Sequence, residues 1–158
     1  MIQTIDALIQ ELQTLVDTTP FQSVMEMETE VKFGDPGLVL ATEYPYIYVQ
    51  PISDNPRSET IGRTGWDTRV LQIEIGVVID QSEYYDPDNN EISGLRELLE
   101  ASSLIRGELR RLQKRSLGGQ VQTVAVSSTN YEPQLRGDAF VAVARTMLGV
   151  EKRYQHED

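Results

Sequence analysis

The sequence predicts an α+β fold, in which a mostly antiparallel sheet of four to five strands carries two main helices on one face. Three observations predict it. Two segments place apolar residues at helical spacing, several others alternate apolar and polar residues as strands do, and these segments follow the order α-β-β-β-α-β-β. Runs of strands separated by a helix favour an antiparallel sheet covered by the helices. We expect one domain over residues 1–153 and a flexible tail at residues 154–158.

The composition restricts the compartment and the class of partner. The chain has 158 residues, 25 acidic and 14 basic, with a net charge of −11 and no cysteine. Its first residues lack the basic start of a signal peptide, and its longest apolar run is too short to cross a membrane as a helix, so we expect cytoplasmic folding and no membrane partner. An acidic surface disfavours the binding of nucleic acid, because such binding relies on Lys and Arg displacing counterions from phosphate. The same charge suits a surface that stands beside DNA without holding it.

The N-terminal segment has the periodicity of an amphipathic helix. Its apolar residues fall on one helical face, and they are Ile2, Ile5, Leu8, Ile9, Leu12, Leu15 and Val16. The sequence Thr18-Thr19-Pro20 provides the stop. Residues 24–33 then alternate apolar residues with Glu and Lys, which predicts a strand, with a helix as the alternative because Glu and Met favour helices. Residues 34–37 are rich in Gly and Pro and predict a turn.

A short aromatic strand and a long loop follow. Residues 46–52 read as a strand, in which Pro45 and Pro51 indicate a sheet edge or a bulge. Residues 53–67 are rich in Gly, Pro, Asn and Ser, which predicts a loop. Loops of this length in a compact domain are usually functional or mobile.

The most apolar run of the chain, residues 68–80, predicts the central strand. Its odd positions form an unbroken aliphatic row of Leu71, Ile73, Ile75, Val77 and Ile79. Its even positions are mixed, and they are Val70, Gln72, Glu74, Gly76, Val78 and Asp80. We therefore expect the odd row to face the helices and the even row to lie on the opposite face of the sheet.

A second helix and a hairpin complete the predicted fold. Ser93 is a suitable N-cap for a helix at residues 95–115, which Gly118 and Gly119 close. Strands are predicted at residues 121–129 and 139–152, joined by a loop at residues 130–138. Basic residues near the helix end complement its dipole and form a possible patch for an acidic partner; they are Arg106, Arg110, Arg111, Lys114 and Arg115.

The sheet face opposite the helices is only half polar. Val70, Val78, Val141 and Val143 are expected there among charged residues such as Glu74. An exposed face of this kind suggests that a neighbouring subunit covers it. We therefore expect a homo-oligomer with these four valines at the subunit interface.

One segment resembles a metal site in part. Asp86, Asp88 and Asn90, with Glu97 at the twelfth position, match a calcium loop, but Glu91 replaces the glycine needed at its sharp turn. A polar turn that leads into a helix explains the residues of segment 86–97 better. We expect no metal there.

Enzyme chemistry has little support. The only histidine is His156, which leaves no set of residues for histidine catalysis or a His/Cys metal site. The best carboxylate set for a metal-dependent nuclease is Glu74 and Glu151 with Lys152, and cross-strand salt bridging explains it better. We expect no catalytic residue and no cofactor.

Several segments together resemble the tail terminator, or tail completion, proteins of long-tailed bacteriophages. They are the N-terminal helix, LVLATEYPYIYVQPISD at 38–54, WDTRVLQIEIGVVID at 66–80, the helix GLRELLEASSLIRGELRRL and the closing strand FVAVARTMLGVEKRY. The resemblance implies a hexameric ring that caps the finished tail tube, ends its polymerisation and joins the tail to the head connector. It implies as partners further copies of the chain, the tail tube protein, a head connector or neck protein, sheath protein if the tail contracts, and DNA passing through the lumen without specific binding. It also implies assembly in the host cytoplasm and a final place at the tail–neck junction of the virion.

The resemblance gives expected roles to two further groups of residues. Acidic side chains that face the lumen would repel the phosphate backbone, and the candidates are Glu26, Glu28, Glu30, Glu74 and Asp80. Arg57, Arg63 and Trp66 in the long loop are candidates for contact with the tube or connector. Another phage neck or head–tail connector ring protein is the alternative, and a divalent-metal-dependent enzyme is a more distant one.

Overall fold

Three helices and five strands make up the part of the chain that the structure, a computed structural model, describes: residues 2–38, 43–58, 66–81, 94–114, 123–136 and 139–155. In chain order the elements are helix α1 (Ile2–Val16), helix α2 (Thr19–Met25), strand β1 (Glu30–Phe33), a short 3-10 helix (Pro36–Leu38), strand β2 (Tyr46–Ser58), strand β3 (Trp66–Asp80), helix α3 (Leu95–Lys114), strand β4 (Thr123–Arg136) and strand β5 (Ala139–Gln155). The predicted α+β class and the order of its main elements are confirmed.

The five strands form one sheet with the order β1-β2-β3-β5-β4. Strand β1 pairs with β2 in parallel, whereas the pairs β2–β3, β3–β5 and β4–β5 are antiparallel. Strand β3 lies in the middle, and its Ile75 stands opposite Val49 on one side and Thr146 on the other. The apolar run identified in the sequence is therefore the centre of the sheet.

The main core lies between the sheet and the helices. Helix α1 packs on β1 and β2, and helix α3 packs mainly on β4 and β5. The odd row of β3 is buried in this core, as predicted, together with the apolar stripes of both helices; the helical members are Ile5, Leu8, Leu12 and Val16 of α1 and Leu98, Ala101, Ile105, Leu109 and Leu112 of α3. Burial of these stripes is the main stabilising contribution of the helical layer, because tertiary packing rather than propensity holds most helices.

Helix α2 corrects the sequence prediction for residues 24–33. The chain leaves α1 after Val16, as expected, but Pro20 lies in the first turn of a second helix, where its missing N–H costs nothing. Phe21 and Met25 of α2 are buried in the core. The helix ends at Glu26, which has a left-handed φ of 56° and donates its backbone N–H to Gln22 O. The predicted strand is therefore shortened to Glu30–Phe33.

Strands β2 and β4 are longer than predicted, and the reason is the same for both. Strand β1 pairs only with Tyr46–Val49, so β2 is an edge strand beyond Val49 and tolerates Pro51 and Pro56. Its register shifts between Pro51 and Ser53, which confirms the expected bulge. Strand β4 is the other edge and tolerates Pro133 within residues predicted as a loop. Pro56 and Pro133 lie in edge strands, and the sequence prediction assigned both to loops, whereas Pro51 was expected at an edge or a bulge.

Several sequence predictions lie outside the described residues. They concern Ser93, the acidic turn at 84–91, Gly118 and Gly119. At the C-terminus, β5 continues through Tyr154 and Gln155, which pair with Asp67 and Trp66 of β3. The strand thus enters the segment expected to be a flexible tail.

Candidate interaction surfaces

The sheet face opposite the helices carries a second, smaller core. Tyr46, Tyr48, Val78, Val141 and Val143 form this cluster, which we call the tyrosine cluster, and all five side chains are buried within the chain. The register places Tyr46 opposite Val78 and Val78 opposite Val143, so the rings and valines share one face. No helix is needed to cover these valines, because the two tyrosines do so.

This burial corrects the expectation that the valines of this face are exposed. Val78, Val141 and Val143 present no surface to a neighbour, and only Val70 is partly exposed. The sequence prediction counted the apolar residues of β3 and β5 but not the aromatic residues of β2. The alternation in YIYVQ, with Tyr at every second position, was the available signal that β2 has two apolar faces.

Gly76 lets Tyr48 lie flat on the sheet. The two residues are cross-strand partners, and a Cβ built on Gly76 would stand 2.1 Å from the Cε1 atom of Tyr48. Glycine in a strand interior often marks such a close approach. The Tyr48 hydroxyl donates a hydrogen bond of 3.0 Å to Glu74 Oε2. Burial is the main reason that the pKa of Tyr48 is raised above its ordinary value, so the phenol remains protonated.

Charges on this face are paired across strands. Arg145 of β5 lies with its Nε 3.9 Å from Glu74 Oε1 of β3, and its Nη1 contacts Glu132 of β4. Glu74, a lumen candidate, is therefore compensated by a cation and partly buried. Asp80, another lumen candidate, is partly buried at the end of β3, opposite Val141.

A buried ion pair joins the end of β4 to the segment before the 3-10 helix. Arg136 Nη2 lies 2.9 Å from Asp35 Oδ2 and its Nη1 lies 3.0 Å from Asp35 Oδ1, so the ion pair is bidentate. The side chains are only 8% and 4% exposed. The Tyr46 hydroxyl donates to Asp35 Oδ1 at 2.6 Å and accepts from Arg136 Nη1 at 2.5 Å. The three residues therefore form a closed network beside the tyrosine cluster.

The chemistry of this network depends on its surroundings. Burial alone raises the pKa of Asp35, but hydrogen bonds from Arg136 and Tyr46 outweigh burial, so that pKa lies below its ordinary value. Burial and the Asp35 carboxylate raise the pKa of Tyr46. Gly37 lies close by, and a Cβ there would meet Arg136 Nη1 at 2.3 Å. The charges of Asp35 and Arg136 cancel, and their polar atoms are hydrogen-bonded to each other and to Tyr46. The network therefore stabilises the fold and presents no reactive group.

The acidic residues near β1 form a separate group. Glu28 and Glu30 line a groove with Glu43, Tyr44 and Pro45, and Glu26 borders a neighbouring groove. Glu30 pairs with Lys32 at 3.2 Å. These acids lie beside an edge of the sheet, whereas Glu74 lies on its central strand, so the structure does not bring the lumen candidates together in one patch of a single chain.

The tube-contact candidates lie at the far end of the β2–β3 hairpin. Arg57 pairs with Thr68 and Trp66 pairs with Gln155, so both positions belong to strands that extend beyond the predicted 46–52 and 68–80 segments. Their side chains and all of Arg63 lie outside the described residues.

No metal site was found in the part of the chain that the structure describes, where no three His, Asp or Glu residues are grouped for a cation. Most of the candidate segment 86–97 lies outside that part. Among the described helices, none is both long and apolar enough to cross a membrane. The features that the structure does offer are surfaces and buried networks.

The fold and these surfaces define an α+β protein with a five-stranded mixed sheet and one helical layer. Its fold is similar to that of a chain in a solved structure, the virion of a native gene transfer agent particle, with a TM-score of 0.51 and 12% sequence identity. The match covers 93% of this chain and 93% of that chain. No protein-family model matches the sequence, and no curated protein matches it. At this identity the similarity is one of fold.

Proposed function

We propose that this chain is a non-enzymatic structural protein of a phage-like virion. The observation that carries the proposal is the shared fold with a chain of the gene transfer agent virion, which extends over 93% of both chains. A match of that extent leaves little of either chain outside the common fold. It supports a role in which the fold itself, through its surfaces, is the functional unit.

More narrowly, we propose a tail terminator. In this role copies of the chain form a ring through head-to-tail contacts. The ring caps the tail tube, ends its polymerisation and joins the tail to the head connector. The support is the resemblance of the segments at 38–54 and 66–80, together with the helix and closing strand that follow them, to that family. A hexamer is the stoichiometry that the resemblance implies.

The charge supports a lumen through which DNA passes without specific binding. The net charge of −11 repels phosphate and provides few cations to hold it. Glu74 contributes less than its position suggests, because Arg145 compensates it. Glu26 and Glu28 precede β1 and Glu30 is its first residue, and we propose that these acids face either the lumen or a neighbouring subunit.

We propose the β2–β3 hairpin as the contact with the tail tube or the connector. Its paired arms extend to Ser58 and Trp66, and its candidate contact residues are Arg57, Arg63 and Trp66. Sheath protein is a further partner if the tail contracts. The chain then acts in the host cytoplasm during assembly and remains at the tail–neck junction of the virion.

A different neck or head–tail connector ring protein is supported by the same shared fold. Tail length separates the two, because only a terminator stops tube growth. In a complementation assay with particles that lack this chain, we expect wild-type protein to restore tails of uniform length. Trp66→Ala combined with Arg63→Ala should leave tails of irregular length, whereas restoration of uniform tails by this variant rejects the docking role. Uniform tails in particles that lack the chain altogether reject the terminator itself.

A further inference from the structure

Both edges of the sheet carry exposed apolar side chains on the side of the helices. Phe33 of edge strand β1 is 55% exposed, and Leu135 of edge strand β4 is 65% exposed. Leu135 stands opposite Phe140 of β5, which is 66% exposed, so the two form one apolar patch. We call these the Phe33 edge and the Leu135 edge.

The Phe33 edge and the Leu135 edge belong to strands at opposite ends of the sheet, and the Asp35–Arg136 ion pair links those ends on the face opposite the helices. The strand order puts β1 and β4 at opposite ends of the sheet, with three strands between them. In the described sheet each edge strand has a neighbour on one side only, so its outer N–H and C=O groups are available for another chain. Natural edges are often protected by charged residues or proline. The two charged residues of β4, Glu132 and Arg136, are both paired within the chain, and Pro133 is the one residue of β4 that lacks a backbone N–H.

The acids near β1 and the arginines in the second half of helix α3 are opposite in charge. Glu26, Glu28 and Glu43 line two neighbouring grooves near the start of β1. Helix α3, which packs on β4 and β5, carries Glu97 and Glu100 in its first half and the basic residues Arg106 and Arg110 in its second half. Opposite charges steer two surfaces together and fix their register.

We infer that the Phe33 edge of one copy contacts the Leu135 edge of the next copy in a head-to-tail ring. A contact between two different patches of the same chain is heterologous, and such contacts close into rings. The contact buries the exposed apolar side chains and pairs the β1-side acids with the arginines of α3. This assignment rests on the proposed function and deepens it. It places the subunit contact at the sheet edges instead of the valine face. It also places the acids Glu26 and Glu28 in that contact instead of the lumen.

Two matched variants test the assignment. Phe33→Glu and Leu135→Glu each place one charge on one edge, and both positions are exposed, so neither change should unfold the chain. Ile52→Glu is the control, because Ile52 is 48% exposed but lies on β2 beyond its pairing with β1. Thermal unfolding by circular dichroism verifies the fold of all three, and native mass spectrometry gives their assembly state.

The decisive sample is an equimolar mixture of the two edge variants. We expect wild-type protein and Ile52→Glu to form rings, and each edge variant alone to be monomeric. The mixture should give dimers, because Phe33→Glu retains an intact Leu135 edge and Leu135→Glu retains an intact Phe33 edge. Rings formed by either variant alone, or a mixture that stays monomeric while wild type assembles, overturn this assignment and leave the proposed ring intact. Wild-type protein that stays monomeric, alone and with the tail tube protein, overturns both.

Discussion

Arg136 and Asp35, 101 residues apart in the sequence, form a two-pronged ion pair in which both side chains are almost fully buried. The pair ties the tip of the β4–β5 hairpin to the segment that follows β1. It therefore joins the two ends of the sheet, over the face that no helix covers.

Removing one partner of this pair should be costly. Asp35→Ala or Arg136→Ala leaves a buried charge without its partner, and such changes typically cost about 3 to 5 kcal/mol of unfolding free energy. Urea denaturation measures the loss. Asp35→Leu combined with Arg136→Met removes both charges, and we expect it to be more stable than either single variant. Single variants that lose less than about 1 kcal/mol, as exposed pairs do, contradict this account of the network.

The same pair gives the chain a defined acid response. The pKa of Asp35 is lower in the folded chain than its ordinary value of 3.8. The stabilisation is therefore complete above that value and is lost as the pH falls through the folded pKa, because the unfolded state binds the proton first. The difference in unfolding free energy between wild type and Asp35→Asn should shrink below pH 3.8. A difference that stays constant across this range assigns the effect to packing.

Gly76→Ala should destabilise the chain, because its Cβ would overlap the Tyr48 ring. Overpacking of this kind costs about 1 to 3 kcal/mol. Gly149→Ala is the matched control: it lies in β5, and its Cβ would find its nearest neighbour at 3.8 Å. We expect that control to change stability by less than about 0.5 kcal/mol. In a Tyr48→Ala background the cost of Gly76→Ala should fall, and an unchanged cost there contradicts the assigned clash.

Both faces of β3 should be equally sensitive to charge near its middle. Ile75 faces the helices and Val78 belongs to the tyrosine cluster, and both are fully buried. Ile75→Asp and Val78→Asp should therefore both unfold the chain, since an unpaired buried carboxylate costs several kcal/mol. Gln72→Asp, at an exposed position on the Val78 face of the same strand, should fold normally. Circular dichroism distinguishes these outcomes, and a folded Val78→Asp chain contradicts the burial of that face.

Local sequence patterns predicted the parts of the fold that depend on periodicity. The odd row of β3 and the apolar stripes of α1 and α3 repeat at fixed spacing, so their buried faces could be read directly. The full extent of the edge strands could not be predicted, because Pro56 and Pro133 have the same local signature in an edge strand as in a loop. Only the pairing partners, which lie far along the chain, separate the two cases.

The surfaces were less predictable than the core. Asp35 is a turn residue and Arg136 a loop residue when each is read locally, and no pattern in the sequence links positions 101 residues apart. The tyrosine cluster was missed because the valines of β3 and β5 were considered without the aromatic residues of β2. The strand order was therefore needed to determine which apolar residues remain exposed. They include Phe33, Leu135 and Phe140.

The position of the chain in assembled particles tests the central claim most directly. Purified virions can be labelled with gold-conjugated antibody raised against this chain and imaged by negative-stain electron microscopy, with particles that lack the chain as the control. We expect gold at the junction of tail and head, in wild-type particles only. Gold on the head shell, along the tail shaft or at the distal tail tip, or particles that bind no gold, would contradict it.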